Sequence, residues 1–269
     1  MGLFSYIRNL FKSNKKKEEP NYSSQHTSTI IVDSSSSSID SSIDDYKYPI
    51  SEPLKQYPNL IVCLDNGHGE NTPGKCSPYS AYQVEPELPF REYKWARELV
   101  DILKEKLEDH GVEVFIVTPE EKDIPLKTRY QRINKKKAEN PDKKILMVSI
   151  HVNAAGDGKQ WMNARGWSAY TTKGQNNSDK LADCLYDAAE EILLPLGQKI
   201  RTDKSDGDRD WEANFTIIYG SNTPAVLTEN LFQDNVDDVK FLTTYKGKNA
   251  IAELHKKGIL KFAEKMWNM

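Results

Sequence analysis

The sequence predicts an α/β fold: a single domain with a twisted, mostly parallel central sheet flanked by helices and preceded by a disordered N-terminal extension. Two observations carry this prediction. From about residue 58 onward, short apolar runs of strand length alternate with stretches of helical periodicity. The run at residues 144–152, KILMVSIHV, is almost continuously apolar, which is typical of a strand buried on both faces of a sheet. We therefore place this run at the centre of the sheet.

The strands are predicted from apolar runs that turn-forming residues interrupt. In chain order they are residues 60–64, 112–117, 145–151, 166–171, 215–219 and 225–229. Helical stretches separate several of them, and strands joined by helices pair in parallel. The order of the runs therefore favours a mainly parallel sheet.

The helices are predicted from apolar positions at helical spacing. Residues 92–110 form the clearest case, because Trp95, Leu99 and Leu103 follow Glu92 at i+3, i+7 and i+11, and Gly111 ends the pattern. The stripe places the carboxylate of Glu92 on the inward face, where a charge is costly unless it is paired or binds a metal. The further predicted helices are residues 125–137, 178–194, 237–242 and 246–267.

The chain before the domain differs from it in composition. Residues 18–57 are rich in serine with scattered Asp and Pro, which predicts a flexible linker ahead of a catalytic domain at residues 58–269. Residues 1–17 place apolar side chains on one helical face, followed by three lysines. This pattern predicts an amphipathic helix that contacts a membrane surface or a protein partner, with a frayed basic tail as the alternative.

Composition limits the function classes. A formal net charge of -3 over 269 residues gives no reason to expect nucleic acid as a partner. The cysteines, Cys63, Cys76 and Cys184, form no CxxC pair, so a metal would be held by histidine and carboxylate. No stretch has the length of a membrane span, and the first residues lack the apolar region of a secretory signal. We therefore expect a protein that is made in the cytoplasm without a signal peptide.

Three predicted strands have a residue that can bind metal or transfer protons at or just after their carboxyl ends. His68 follows the first strand in NGHGE, His151 ends the central strand, and Glu229 ends the strand AVLTE. Ligands of open α/β sheets bind beyond the carboxyl ends of the strands. Two histidines and a glutamate, with a fourth position for water, form a recognised catalytic zinc set, and a second glutamate acts as its general base. With Glu92 from a helix, the sequence predicts a hydrolytic zinc site.

Each residue also has an interpretation without metal. His68 between two glycines could be an ordinary loop residue, His151 a core histidine, and Glu92 a first-turn residue favoured by the helix dipole. Glu85 and Glu87, in the proline-containing loop before Glu92, are rival carboxylates for a ligand role. Spacing alone leaves these alternatives open.

The motifs, in their order along the chain, resemble one known family. They are GHG at residues 67–69, Glu92 opening a helix that Gly111 closes, VSIHVNA at residues 148–154 and PAVLTENLFQDN at residues 224–235. With them the chain resembles the zinc-dependent N-acetylmuramoyl-L-alanine amidases, the type-3 amidases of bacterial cell-wall hydrolases and phage endolysins. The resemblance covers about residues 60–266.

The resemblance implies a role for each candidate residue. His68, Glu92 and His151 correspond to the family's ligands of one zinc ion, and Glu229 to its catalytic glutamate. The implied reaction is hydrolysis of the amide between the muramic acid lactyl group and L-alanine of peptidoglycan. We expect a monomeric phage lysis enzyme that acts on the cell wall, in the periplasm or outside the membrane, with a bacterial enzyme that a partner delivers as the alternative.

Substrate contacts and function keep alternatives. Asn153, beside a proposed ligand, is expected to bind substrate or to orient the groups around the ligands. Arg129, one of the positions that carry the resemblance, is expected to contact substrate. Glu70, where the family usually has glycine, departs from the pattern and leaves the substrate contacts less defined. The other functions that remain open are a zinc peptidase acting on the stem peptide and a non-catalytic peptidoglycan-binding protein on the same fold.

One further segment resembles a metal site. Residues 203–210, DKSDGDRD, alternate acidic positions in the manner of a calcium loop. The bidentate glutamate that such a loop needs is missing at the required spacing. We therefore predict a solvated loop here.

Overall fold

The fold is built on a six-stranded sheet in a computed structural model that describes residues 54–78 and 89–269. The strands are β1 (Leu60–Asn66), β2 (Glu113–Ile116), β3 (Lys144–Asn153), β4 (Ser168–Thr171), β5 (Trp211–Glu212) and β6 (Ala225–Phe232). The predicted amphipathic segment, nearly all of the predicted linker, and the rival carboxylates Glu85 and Glu87 lie outside the described residues.

The sheet is parallel at its centre and mixed at one side. Its strand order is β2-β1-β3-β6-β4-β5. β3 pairs in parallel with β1 and β6, and β2 is parallel to β1. β4 is antiparallel to β6, and β5 is parallel to β4. The predicted α/β class with a mostly parallel sheet is confirmed, and the carboxyl ends of β1, β3 and β6 lie side by side.

Helices cover both faces of the sheet. They are α1 (Glu92–Glu108), α2 (Leu126–Glu139), α3 (Asn177–Leu193), α4 (Thr216–Tyr219), α5 (Val236–Thr243) and α6 (Tyr245–Trp267), with a 3-10 turn at Leu194–Leu196. Along β1, Leu60, Val62 and Leu64 face the core layer formed with α1, α3 and α6. Ile61 and Cys63 face the layer formed with α2 and α4. This alternation buries the central strands on both sides, as their apolar sequence requires.

The prediction of a strand at residues 215–219 is wrong, because the structure has the short helix α4 there. Ile217 and Ile218 are both 2% exposed, whereas Phe215 and Tyr219 are exposed. Two consecutive buried side chains cannot lie on one face of a strand, whose side chains alternate, but they fit one side of a helical turn. The two-residue strand β5 was not predicted, since so short a segment carries no periodicity.

The packed region starts earlier than the predicted boundary at residue 58. Tyr57 is 2% exposed, and its hydroxyl donates a hydrogen bond to Glu264 at 2.6 Å. Its backbone N–H donates to the carbonyl of His110 at 2.7 Å. These contacts fix the chain against α6 and the end of α1 before β1 begins. Within residues 54–78 and 89–269, no helix has the length and apolar character needed to cross a membrane.

Candidate metal centre

Four elements converge at the carboxyl ends of the central strands. His68 lies in the loop after β1, Glu92 is the first residue of α1, and His151 lies near the end of β3. Glu229 lies directly opposite His151 in the parallel register of β3 and β6. β6 continues to Phe232, so Glu229 lies within its strand rather than at the predicted end. The sheet therefore brings together residues that are distant in the sequence.

Two glycines allow the His68 loop to pack closely against its neighbours, Gly67 against His151 of β3 and Gly69 against the backbone at Asp123. His68 has a backbone φ of 62°, in the left-handed region that residues other than glycine rarely adopt. A Cβ atom on Gly67 would lie 2.3 Å from Cε1 of His151, and one on Gly69 would lie 2.0 Å from the backbone nitrogen of Asp123. With no side chain at either position, the rings of His68 and His151 come within 4.9 Å between centroids, at 88°.

The carboxylate of Glu92 lies between the two imidazoles. Its Oε1 atom is 3.1 Å from Nδ1 of His151 and 3.5 Å from Nε2 of His68, and it accepts a hydrogen bond from the backbone N–H of Val152 at 3.0 Å. Its Oε2 atom is buried and has no hydrogen-bond partner among the described residues. A buried carboxylate oxygen without a partner is costly, and a cation would remove that cost.

These three residues could hold a metal ion. One potential ligand atom from each of His68, Glu92 and His151 lies within 4.8 Å of the others. Imidazole nitrogen and carboxylate oxygen are donors that zinc uses. The side chains of His68 and His151 are 18% and 13% exposed, so the group borders solvent at one side. The donor set, its spacing and the unpartnered Oε2 atom of Glu92 all fit a bound cation.

The pKa shifts favour a neutral His68 and an ionised Glu92, whereas the pKa of His151 is shifted toward the protonated form. Burial lowers the pKa of His68 to about 4, against the opposing charge of Glu92, so its imidazole is neutral at pH 7. Burial alone would raise the pKa of Glu92, but the contacts with His151, His68 and the N–H of Val152 lower it. Burial opposes protonation of His151, yet the adjacent Glu92 raises its pKa. A neutral imidazole and an ionised carboxylate are the forms that bind metal.

Glu229 stands apart from the ligand set. Burial, opposed by the charge of His151 and assisted by that of Glu92, raises the pKa of its carboxyl to about 8. Its Oε2 atom is buried and finds no hydrogen-bond partner in the part of the chain that the structure describes. A carboxyl group with a pKa near neutrality can both accept and release a proton at pH 7.

Asn153 and Arg129, the two residues predicted to contact substrate, have different surroundings in the structure. Asn153 lies two residues after His151 on β3, and its Oδ1 atom accepts the N–H of Ala154 at 2.8 Å. Arg129 is enclosed at 1% exposure and donates to Asp65 and Asp123 at 2.8 Å each. Arg129 also donates to the backbone carbonyl of His68 at 3.2 Å. Substrate contact through either residue stays a prediction, and the contacts of Arg129 support a role beneath the His68 loop instead.

The buried polar residues whose hydrogen bonds support this site were not predicted from the sequence. Asp65 is 1% exposed in β1 and accepts hydrogen bonds from Arg129 and from Ser149 Oγ, the latter at 2.6 Å. Asn230, fully buried beside Glu229, donates to the carbonyl of His151 at 3.0 Å and accepts from Trp167 Nε1 at 2.9 Å. A polar residue inside an apolar run, as in LIVCLDN and AVLTENLF, is the signal that could have identified both.

A cleft of about 390 Å³ lies beside the metal-binding group. It is bordered by residues 70–76, by Arg91 and Tyr93 at the start of α1, and by Asp157 and Gly158. The loop and the helix that border it are the ones that carry His68 and Glu92. None of the four converging residues lines the cleft itself, although Arg91 and Tyr93 flank Glu92 in the chain.

Comparison with known proteins gives a consistent result. The family model described as N-acetylmuramoyl-L-alanine amidase matches residues 62–261. The chain is 29% identical over 203 residues to an endolysin of Bacillus phage SPP1, covering 74% of this chain and 64% of the relative. It is 25% identical over 232 residues to the N-acetylmuramoyl-L-alanine amidase AmiC of Neisseria meningitidis, covering 75% of this chain and 52% of the relative.

Solved structures share the fold. An N-acetylmuramoyl-L-alanine amidase from Clostridium difficile superposes with a TM-score of 0.63 at 22% identity, covering 78% of this chain and 100% of that chain. The amidase AmiC2 of Nostoc punctiforme gives a TM-score of 0.60 at 20% identity, covering 77% of this chain and 98% of that chain. At these identities, both matches concern the fold alone.

Proposed function

The chain belongs to the N-acetylmuramoyl-L-alanine amidase family, and we propose that it hydrolyses the amide between the muramic acid lactyl group and L-alanine of peptidoglycan. One observation carries the proposal. His68, Glu92 and His151 lie within reach of a single ion, and Glu229 lies opposite His151. A ligand set with a separate, protonatable carboxyl is the arrangement that metal-assisted hydrolysis needs.

We propose that His68, Glu92 and His151 hold one zinc ion. When bound, zinc lowers the pKa of a coordinated water toward about 7 and polarises the scissile carbonyl. The chain supplies the rest: the Val152 N–H and the His151 ring orient Glu92, and Arg129 holds the backbone of His68. The ligands are thus fixed by contacts that do not depend on substrate.

The proposed role of Glu229 is proton transfer. Its carboxylate accepts a proton from the attacking water as the C–O bond forms. It then delivers that proton to the alanine nitrogen as the C–N bond breaks, because an amine leaves poorly unless it is protonated. The products are a muramic acid carboxylate and a stem peptide with a free N-terminal alanine. Burial, which raises the pKa of Glu229, favours the protonated form that makes the second transfer.

We further propose that the protein is a phage lysis enzyme. A relative that is 29% identical is the endolysin of a Bacillus phage, which supports this assignment. The chain spans 64% of that relative's length, so the comparison concerns the region shared by the two proteins. Action on the cell wall as a monomer, without nucleic acid, and contact of residues 1–17 with a membrane surface or a protein, stay predictions.

Product analysis tests the function. The full chain, loaded with zinc, is incubated with purified peptidoglycan, and the soluble muropeptides are identified by mass spectrometry with N-terminal labelling. New free N-terminal alanine is the expected product. Cleavage between later stem residues would show a zinc peptidase instead. Binding without any product, while zinc is present at one ion per chain, would show a non-catalytic binding protein.

A further inference from the structure

A second group of acidic side chains lies at the end of β4 that is farther from Glu229. One carboxylate oxygen from each of Asp179, Asp208 and Asp210 lies within 4.8 Å of the others. Asp179 is in the first turn of α3, and the other two precede β5. They gather at Thr171, the last residue of β4, whereas Ser168 at its start is the residue opposite Glu229. The group is therefore separate from the site described above.

Two of its oxygen atoms are buried without a partner. Asp210 is 1% exposed, and its Oδ1 atom has no hydrogen-bond partner within residues 54–78 and 89–269. The same holds for Oδ1 of Asp208. A desolvated carboxylate oxygen is costly to leave unpaired, because water has been removed and no donor replaces it. The two atoms thus lack the partner that a bound cation would supply.

The donors around the group are too few for its charge. The Thr171 hydroxyl lies 2.6 Å from Oδ2 of Asp210 and 3.0 Å from Oδ1 of Asp179, but it has a single hydrogen to donate. Gln175 donates to Oδ2 of Asp208 at 2.7 Å. Within the described residues, the three carboxylates therefore share two side-chain donors, besides backbone N–H groups such as that of Asn176.

No basic side chain of the described residues forms an ion pair with any of the three carboxylates. Arg209, between Asp208 and Asp210 in sequence, turns away to Asp183 and Asp187 at 3.1 and 2.7 Å. Burial, together with the charges of Asp208 and Asp179, raises the pKa of Asp210 to about 7. The three carboxylates therefore lack a positive charge to balance them.

We propose that Asp179, Asp208 and Asp210 bind one calcium ion. All the available donors are oxygen atoms, which hard cations prefer, and Ca²⁺ accepts irregular arrangements that Mg²⁺ does not. One carboxylate oxygen from each residue lies within 4.8 Å of the others, close enough for the three to share one calcium ion at Ca–O distances of about 2.4 Å. The sequence predicts that the loop at residues 203–210 is solvated, because it lacks the glutamate of a calcium loop. In the proposed site, Asp179 of α3 supplies the third carboxylate in place of that glutamate.

The ion would be structural. It would connect the segment ahead of β5 to the first turn of α3 and to the end of β4. The same segment leads to Trp211, whose ring centroid lies 6.2 Å from that of Tyr170 on β4. Bound calcium would therefore hold β5 in its pairing with β4 and would stabilise the folded chain.

Calcium binding tests this inference on the full chain, freed of other metals and reloaded with one equivalent of zinc. Isothermal titration with CaCl₂ should show one site per chain beyond zinc, and saturating calcium should raise Tm by about 5 °C. In Asp208→Asn and Asp210→Asn, the calcium affinity should fall at least about tenfold, since affinity follows the number of charged ligands. Asp206→Asn, an exposed position in the same loop, is the matched control and should bind as the wild type does.

The calcium-free proteins give a second readout that a folding defect would not imitate. Without calcium, Asp210→Asn should be at least as stable as the wild type, because it removes a repelling charge. With calcium it should lack the increase in Tm. No binding of calcium to the wild type would overturn the inference, as would equal binding to the wild type and both variants. Equal affinity for MgCl₂ would overturn the assignment to calcium.

Discussion

The side-chain amide of Asn230 donates a hydrogen bond to the backbone carbonyl of His151 at 3.0 Å. The bond joins β6 to β3 where their register shifts, between His151 and Asn153. Asn230 also accepts the indole N–H of Trp167 at 2.9 Å, so the bond is anchored in the core. The strand that carries the proposed general base is thus tied to the strand that carries a proposed ligand.

Replacing Asn230 should disturb this alignment. Asn230→Ala leaves a buried carbonyl and a buried indole N–H unpaired, so we expect a loss of about 1–3 kcal/mol in the free energy of unfolding. We expect kcat to fall with little change in KM, because the reacting groups move relative to each other. Denaturant unfolding and steady-state kinetics measure the two effects. Trp167→Phe, which removes one of the two bonds, is the control and should lower kcat less.

Glu229→Gln should separate metal binding from catalysis. The amide keeps the shape of the side chain but cannot accept a proton, so turnover should fall by at least about a hundredfold. Zinc content should stay at one ion per chain, since Glu229 is not among the three residues that could hold the ion. Muropeptide release and atomic absorption are the measurements. Loss of zinc in this variant would contradict the assigned role.

His151→Ala should remove the metal. His151 contacts Glu92 at 3.1 Å, and its loss leaves two of the three proposed ligands. We expect the zinc content of the purified protein to fall close to zero, and activity with it. His110→Ala is the matched control, because His110 lies at the end of α1 and outside the metal-binding group. Retention of a full equivalent of zinc by His151→Ala would rule out its role as a ligand.

Arg129→Met should act on stability before it acts on substrate binding. Removing the guanidinium leaves the buried carboxylate of Asp65 without its partner, which costs about 3–5 kcal/mol. The pair between Arg132 and Glu120, at the surface of the same helix, is the control, and Arg132→Met should cost at most about 1 kcal/mol. Chemical unfolding measures both. A raised KM with unchanged stability would instead support the predicted substrate contact.

Stability should fall in mild acid because of His255. This residue is fully buried, its Nδ1–H donates to the carbonyl of Ile251 at 2.7 Å, and its Nε2 accepts from Thr228 at 2.9 Å. Burial lowers its pKa to about 4, below the value of about 6.5 in the unfolded chain. The unfolded state therefore binds more protons between these values, so its stabilising contribution is complete above about pH 6.5 and is lost as the pH falls toward 4.

The corresponding measurement compares unfolding at about pH 7.5 and about pH 5. The wild type should lose about 2 kcal/mol more than His255→Gln over this interval, because the variant has no ring to protonate. The proposed metal centre is common to both proteins, so its own pH dependence cancels in the difference. Equal losses in the two proteins would show that His255 does not control this response.

The sequence predicted the class of the fold and the convergence of the strand tips, because both follow from periodicity. The phase of Glu92 on its helix directed its carboxylate inward, and the structure places it between His68 and His151. The helix α4 and the strand β5 were not predicted, since four residues and two residues are too few to show a period.

The internal support of the site could not be predicted in the same way. Arg129 and Asp65 are 64 residues apart, and Asn230 and His151 are 79 apart, so their contacts depend on tertiary packing. The acidic group at β4 has the same origin, because Asp179 reaches residues 208 and 210 only after α3 has docked. Local patterns identify the residues that lie at strand ends but not the partners that hold them.

A metal ion held by Glu92 and His151 would also act as a cross-link, because 59 residues separate these two positions in the chain. Closing a loop of this length restricts the unfolded state far more than the folded one. Zinc would then protect the protein against heat and proteases as well as activating it, and a chelator would remove both properties in a single step.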